Sequence, residues 1–284
     1  MTVPTPMTYL TPKSGRPTRA SLSTELGFKV PVRFAEYVCQ IFDLYQGNPE
    51  LCLSAFDVIP GLYPVGRDGR YGGTPAELFP VGGTGCDGDH YGFLLHAPEL
   101  DLDELPFAHY CPMADDGVAI VGSTTEQGIA SIMAELLSLD FVSPEEKHQI
   151  AEIASACNIR PEEEKASAIS VPSGWRFVPS ADGVGTLAPT ELFSPDHVTV
   201  IAKYPQTTPH IEAADQALKG GYFATALHYL REGLWANWPA HPIDIALRMC
   251  DVYHLLNRDK LAEELEHTMK GWAETDETKK KYDT

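Results

Sequence analysis

Between Arg70 and Lys147 this chain has no lysine and no arginine. Over the same stretch it carries fourteen acids: Glu77, Asp87, Asp89, Glu99, Asp101, Asp103, Glu104, Asp115, Asp116, Glu126, Glu135, Asp140, Glu145 and Glu146. The full 284 residues hold 40 acids against 21 bases, a formal net charge of −19. Phosphate contact needs grouped Lys and Arg, so nucleic acid and anionic membrane are poor partners. Other signatures are missing as well. The six cysteines (Cys39, Cys52, Cys86, Cys111, Cys157, Cys250) form no C-x-x-C and no zinc-ligand spacing, so free thiols in a reducing cytoplasm are expected. No apolar run approaches the roughly 18 residues of a membrane span. The N-terminus lacks the apolar core of a signal peptide. There is no G-x-S-x-G for a serine nucleophile, no H-E-x-x-H, and no glycine loop ending in G-K-[ST].

What is present is an ordinary globular composition, 43% apolar, with 23 glycines and 23 prolines that predict many turns. Residues 1–32 are rich in Thr, Pro and Ser and mildly basic through Lys13, Arg16, Arg19 and Lys29. Without apolar periodicity they read as an extended arm, able to lie against the chain's own acidic region. From Phe34 to Gly47, Phe34, Tyr37, Val38, Ile41, Phe42 and Tyr45 recur at helical spacing, and Gly47-Asn48-Pro49 ends the run. Leu51–Pro64 reads as a strand and Val65–Thr74 as a glycine-rich turn. Short strands follow at Glu77–Val81, His90–His96, Pro106–Met113 and Gly117–Val121. Thr124–Leu139 is a helix capped by Ser123 or Thr124.

The run E-L-F-P-V-G-G-T-G-C-D-G-D-H-Y-G-F-L-L (Glu77–Leu95), then P-F-A-H-Y-C-P (Pro106–Pro112), D-D-G-V-A-I-V-G (Asp115–Gly122) and a closing helix, resembles the SUKH superfamily. That superfamily includes fungal cell-wall-assembly regulators and bacterial immunity proteins that neutralise toxins. The resemblance covers roughly Val32–Asp140. It implies an α+β domain at 33–140, with a curved antiparallel sheet flanked by helices, that binds proteins without catalysis.

Beyond it, Ser143–Glu164 reads as a polar helix opened by S-P-E-E, and Val171–Pro209 as an irregular, proline-rich connector, together residues 141–210. Ala188–Pro195 (A-P-T-E-L-F-S-P) echoes Thr74–Pro80 (T-P-A-E-L-F-P), by duplication or by chance. Residues 211–284 hold two helical patterns split at Pro239 and Pro242, forming a small all-α region. A-L-K-G-G-Y-F-A-T-A-L-H-Y-L-R-E-G-L resembles a tetratricopeptide hairpin, with Gly220, Gly221 and Tyr222 near its small–aromatic pair. Two hairpins leave apolar faces uncovered, so they should pack on the preceding domain or on a partner.

A basic protein is the natural complement of the acidic stretch, since opposite charge speeds encounter and selects partners. The expected contact residues are Asp87, Asp89, Asp101, Asp103, Glu104, Asp115 and Asp116, gathered on one face of the sheet and its loops. If the SUKH resemblance holds, that partner is a basic toxin domain. No catalytic residue, metal or cofactor is expected. Two alternatives stand beside this. One is a regulatory scaffold that binds through the C-terminal helices. The other is a metal-dependent hydrolase using Asp87, Asp89, His90, His109, Asp115 and Asp116. Against the second, D-G-D at Asp87–Asp89 fails the calcium-loop pattern, lacking the later Gly and Glu. Cys86 sits beside Asp87 and Asp89, whose negative field disfavours a thiolate.

Overall fold

The computed structural model describes residues 15–48, 50–52, 55, 70, 73–83, 89–112, 114, 117–162, 169–196, 207–237 and 242–282. The fold is α+β, as expected. A four-stranded antiparallel meander is made of β1 (Leu78–Gly83), β2 (His90–Leu94), β3 (Phe107–Tyr110) and β4 (Val118–Gly122) in that order. Bulges between Pro80 and Gly82, and between Phe107 and Ala108, bend it. Two helices pack beside the sheet: α2 (Val32–Leu44) precedes it, and α3 (Thr125–Ser138) follows β4. Phe34 of α2 meets Phe93 of β2 edge-on at 5.2 Å, and Phe93 meets Phe107 of β3 at 5.0 Å. Each fully buried phenylalanine contributes roughly 1.5–3 kcal/mol of apolar burial. α3 lies close on β4 because Gly122 and Gly128 face each other. A Cβ on Gly122 would collide with the backbone of Gly128.

Residues 1–32 are not merely an extended arm. α1 (Arg19–Leu26) is a helix with a Thr18–Ser21 capping box at its start and Gly27 in the left-handed conformation at its end. Leu22, Leu26, Phe28 and Val30 are buried in the main core. Of the expected strand Leu51–Pro64, residues 51, 52 and 55 are helical instead, and the rest lies outside the described residues.

The connector is more ordered than its prolines suggest. α4 (Pro144–Ala156) starts with a Ser143–Glu146 capping box and Pro144 in its first turn, and buries Ile150 and Ile153. It ends at Ala156, short of the expected Glu164. Within the stretch read as irregular, β5 (Trp175–Val178) and β6 (Thr186–Pro189) form a hairpin. Its turn docks on the main sheet: Val118 N–H donates to Asp182 O at 2.7 Å. The two similar octapeptide-like runs do not share a structure. Leu78 and Phe79 are in β1, whereas Thr190–Leu192 is a 3-10 turn.

α5 (Thr207–Lys219) and α6 (Phe223–Ala236) form one hairpin, α7 (Ile243–Leu255) and α8 (Asp259–Tyr282) another. They pack on the N-terminal part, as their uncovered apolar faces required. Leu227, Leu230, Ile245, Tyr253 and Leu261 share one core with Phe34, Phe93 and Ile129. Three buried arginines tie this junction. Arg231 Nη1 donates to Asp182 Oδ2 at 2.9 Å, and its Nη2 donates to Glu77 and to the Tyr253 hydroxyl at 3.2 Å. Tyr253 in turn donates to Glu77 Oε1 at 2.6 Å. Arg258 forks onto Glu99 at 2.8 and 3.0 Å and reaches Leu187 O at 2.7 Å. Arg70 caps Leu78 O and Pro75 O, both at 2.6 Å, and lies 3.8 Å from Glu264. Burial opposes the Arg231 charge, yet Glu77 and Asp182 outweigh it and hold the guanidinium firmly protonated.

Candidate protein-binding surface

Asp89, Asp101, Asp103 and Glu104 are among the described residues; Asp87, Asp115 and Asp116 lie outside them. The four do not form one face, which corrects the expectation of a single acidic surface. Asp89 opens β2 at the end of the sheet where β1 stops and β4 starts. Asp101, Asp103 and Glu104 lie in the β2–β3 connection, at the opposite end. Antiparallel neighbours alternate direction, so this connection and the start of β2 are separated by the full length of the strand.

Nor are these carboxylates free. Asp89 contacts the His109 imidazole across β2 and β3. Lys29 Nζ sits 2.8 Å from Asp101 and 3.2 Å from Asp103, and Arg19 Nη2 sits 3.0 Å from Asp103. Hydrogen bonds from Arg19 and Lys29 hold the Asp103 carboxyl below its ordinary range. Glu104 accepts from Thr125 N at 3.3 Å, at the start of α3. The N-terminal segment does lie against the acidic region, as one expectation had it. It pairs with Asp101 and Asp103, two of the carboxylates assigned to a partner.

Exposed carboxylates without a cation among the described residues are spread over the surface and include Glu104, Glu152, Glu191, Asp244 and Glu263. Among the described residues, Glu135, Asp140 and Glu145 enter no ion pair, and all three are exposed. They surround the α3–α4 turn, where Phe141 is 82% exposed, against 36–51% for the other large apolar residues at the surface. α3 has ended at Leu139 and the Ser143 cap has not yet begun α4, so Phe141 projects from a turn held between two packed helices. Its neighbour Val142 turns inward against the core. A signal for this residue was legible: an aromatic two places before a capping Ser-Pro-Glu-Glu has no helix face to bury it.

The remaining candidates have these positions. Among the described residues, no three His, Cys, Asp or Glu side chains come close enough to hold a metal ion together. His90 is buried and 3.3 Å from the Thr74 hydroxyl. Cys39, Cys52, Cys157 and Cys250 are buried; burial pushes the Cys157 and Cys250 thiols up to about 12. Cys86 lies outside the described residues. No described helix is long and apolar enough to cross a membrane. No protein-family model matches the chain, and no curated protein matches it at a significant level.

Proposed function

We propose that this chain is a non-catalytic module that binds a basic protein, with Phe141 as the apolar anchor and Glu135, Asp140 and Glu145 as its charged rim. The observation that carries the reading is Phe141, largely solvent-exposed beside Asp140 in a turn whose flanking helices bear Glu135 and Glu145, three carboxylates that enter no ion pair among the described residues. Binding energy concentrates in aromatic anchors, while rim charges steer encounter and select against wrong partners. The resemblance of Glu77–Gly122 to SUKH proteins supports an immunity role, in which the partner is a basic toxin domain whose active site is blocked. The cytoplasm is the compartment that reading implies.

The test uses a random-peptide display library panned against the full chain. Selected peptides should carry net positive charge beside an apolar residue, and their affinity should fall with salt. Phe141→Ala should weaken them by about tenfold or more without altering the unfolding midpoint. Peptides of no charge preference, or peptides retained equally by the variant, reject the reading.

A second reading, a scaffold binding through its C-terminal helices, has its own observation. Ile243, Leu247 and Leu255 of α7 are 40–51% exposed on one side of that helix. Deleting 211–284 cannot test it, because the deletion removes Arg231 and Arg258 from the junction. Leu247→Lys with Leu255→Lys leaves the core intact; loss of the selected peptides there, with Phe141→Ala silent, would favour this alternative.

A further inference from the structure

A cavity apart from that surface lies at the end of the sheet opposite Asp89. It is bounded by the end of β2, the β2–β3 connection, the residues before α3, residues 169–172 and β6. Its volume is about 330 Å³, room for a small organic molecule rather than for a few waters. Leu94, Leu105 and Leu187 are buried along its walls. Leu102 stands at its rim, 36% exposed, and Val171, between the lining residues Ser170 and Pro172, is 42% exposed. Apolar side chains therefore run from the interior to the surface along this cavity.

One polar side chain in the lining is buried: His96, at 4% exposure. Its Nε2 lies 2.8 Å from Val184 O. A carbonyl only accepts, so Nε2 carries the proton and Nδ1 of the neutral ring is a bare acceptor. Burial disfavours a second proton and keeps the ring neutral. Nδ1 has no hydrogen-bond partner among the described residues. Unlike Glu77 Oε2 and Arg231 Nε, it is not closed off in the interior either. It therefore meets the open space that His96 lines. An acceptor left without a donor there costs its desolvation, which the O–H or N–H of a ligand would recover. The rim is negative. Glu104 is exposed and enters no ion pair among the described residues, while Asp103 is already engaged by Arg19 and Lys29. Glu104 Oε2 accepts from Thr125 N and Oγ1 at 3.3 and 3.4 Å. Its carboxylate thus occupies the N-terminus of α3, the place that would otherwise draw an anion.

We propose that this cavity binds a phenolic amine. The phenol O–H donates to His96 Nδ1, the ring packs among Leu94, Leu105 and Leu187, and the ammonium sits at the rim beside Glu104. A phenol suits the inner end better than an alkyl alcohol. Its oxygen is a weak acceptor, because the ring draws on its lone pair, so little is lost where leucine walls offer it no donor. An ammonium is a poor fit for the inner place, since apolar walls leave its charge and its other protons uncompensated. A carboxylate at the rim would face Glu104 across the same mouth. Phe141 takes no part in this cavity, so the inference stands apart from the protein-binding reading.

The probes are tyramine, phenethylamine, which lacks the hydroxyl, and para-hydroxyphenylacetate, which reverses the charge. Each is titrated against the full chain by calorimetry and thermal shift. Tyramine should bind saturably and raise the unfolding midpoint. Phenethylamine should bind about tenfold more weakly, because Nδ1 stays unpaired. The carboxylate probe should bind about threefold or more below tyramine, the rim charge being exposed. His96→Phe keeps a ring in place and removes the acceptor. It should abolish the preference for tyramine over phenethylamine while phenethylamine binding holds. If that variant does not fold, Glu104→Gln decides, an exposed change that should narrow the gap between tyramine and para-hydroxyphenylacetate. Absence of saturable tyramine binding, equal affinity for tyramine and phenethylamine, or a preference undiminished in the deciding variant overturns the proposal.

Discussion

Two sets of ion pairs hold this molecule together, and they differ in what surrounds them. Lys29 and Arg19 meet Asp101 and Asp103 at the surface, where the aspartates are 76% and 69% exposed on their side chains. Arg231 meets Glu77 and Asp182 at side-chain exposures of 2%, 3% and 8%. The chemistry is the same and the distances are similar. Water and salt screen the first set, so it orients the N-terminal segment more than it stabilises it. The second set is cut off from water, and each partner lost there leaves a charge stranded. An acidic surface and an ionic core therefore follow from one composition, and burial alone separates them.

The sharpest way to break this comparison is Arg231→Ala. It strands Glu77 and Asp182 and should destabilise the chain by about 3–5 kcal/mol in urea unfolding. A loss no larger than that of a surface pair would show that water reaches the junction.

A weaker effect comes from His96, buried with Nε2 2.8 Å from Val184 O beside the same network. Burial lowers its pKa below the ordinary 6.5. The unfolded imidazole therefore takes up a proton below pH 6.5 that the folded one refuses, and stability should fall as pH drops from 7 to 5. His254, raised by its hydrogen bond with Asp259, acts in the opposite sense but is exposed. Comparing wild type with His96→Gln isolates the buried group: the variant should lose less between pH 7 and 5. An identical pH slope would remove His96 from the account.

The smallest expected change is Asp103→Asn. Because Asp103 has a depressed pKa, its contribution is present above its unfolded value of 3.8 and lost as pH falls below it. The unfolding midpoint at neutral pH should move only slightly, and 1 M salt should abolish the difference, since the Debye length there is about 3 Å. A salt-insensitive effect would mean the surface pairs behave like the buried ones.

Much of the fold was legible along the chain. Phe34, Val38 and Ile41 announced α2, Thr124 announced α3, and Ser143-Pro144-Glu145-Glu146 announced α4, because capping and 3.6-residue periodicity are local. The four strands of the meander stood between turn residues at close to their true ends. α1 was missed because only Leu22 and Leu26 mark its buried face, too few for periodicity, and its stability comes from what it packs on. The β5–β6 hairpin was missed because its prolines and glycines read as punctuation. Its Val178, Val184 and Leu187 are buried, but too few and too irregularly spaced to show a strand pattern. The acidic residues were counted correctly as a run and wrongly as a face. Phe141 was overlooked although its place between the end of α3 and the Ser143 cap left it no helix face on which to be buried.

Composition, caps and periodicity settled by themselves that this is an acidic α+β chain with a helical C-terminal region, since each depends on neighbours a few residues away. Which charges would be free and which would be buried were decided only on folding. Arg231 and Glu77 stand 154 residues apart, and the dielectric around a charge depends on everything that packs over it.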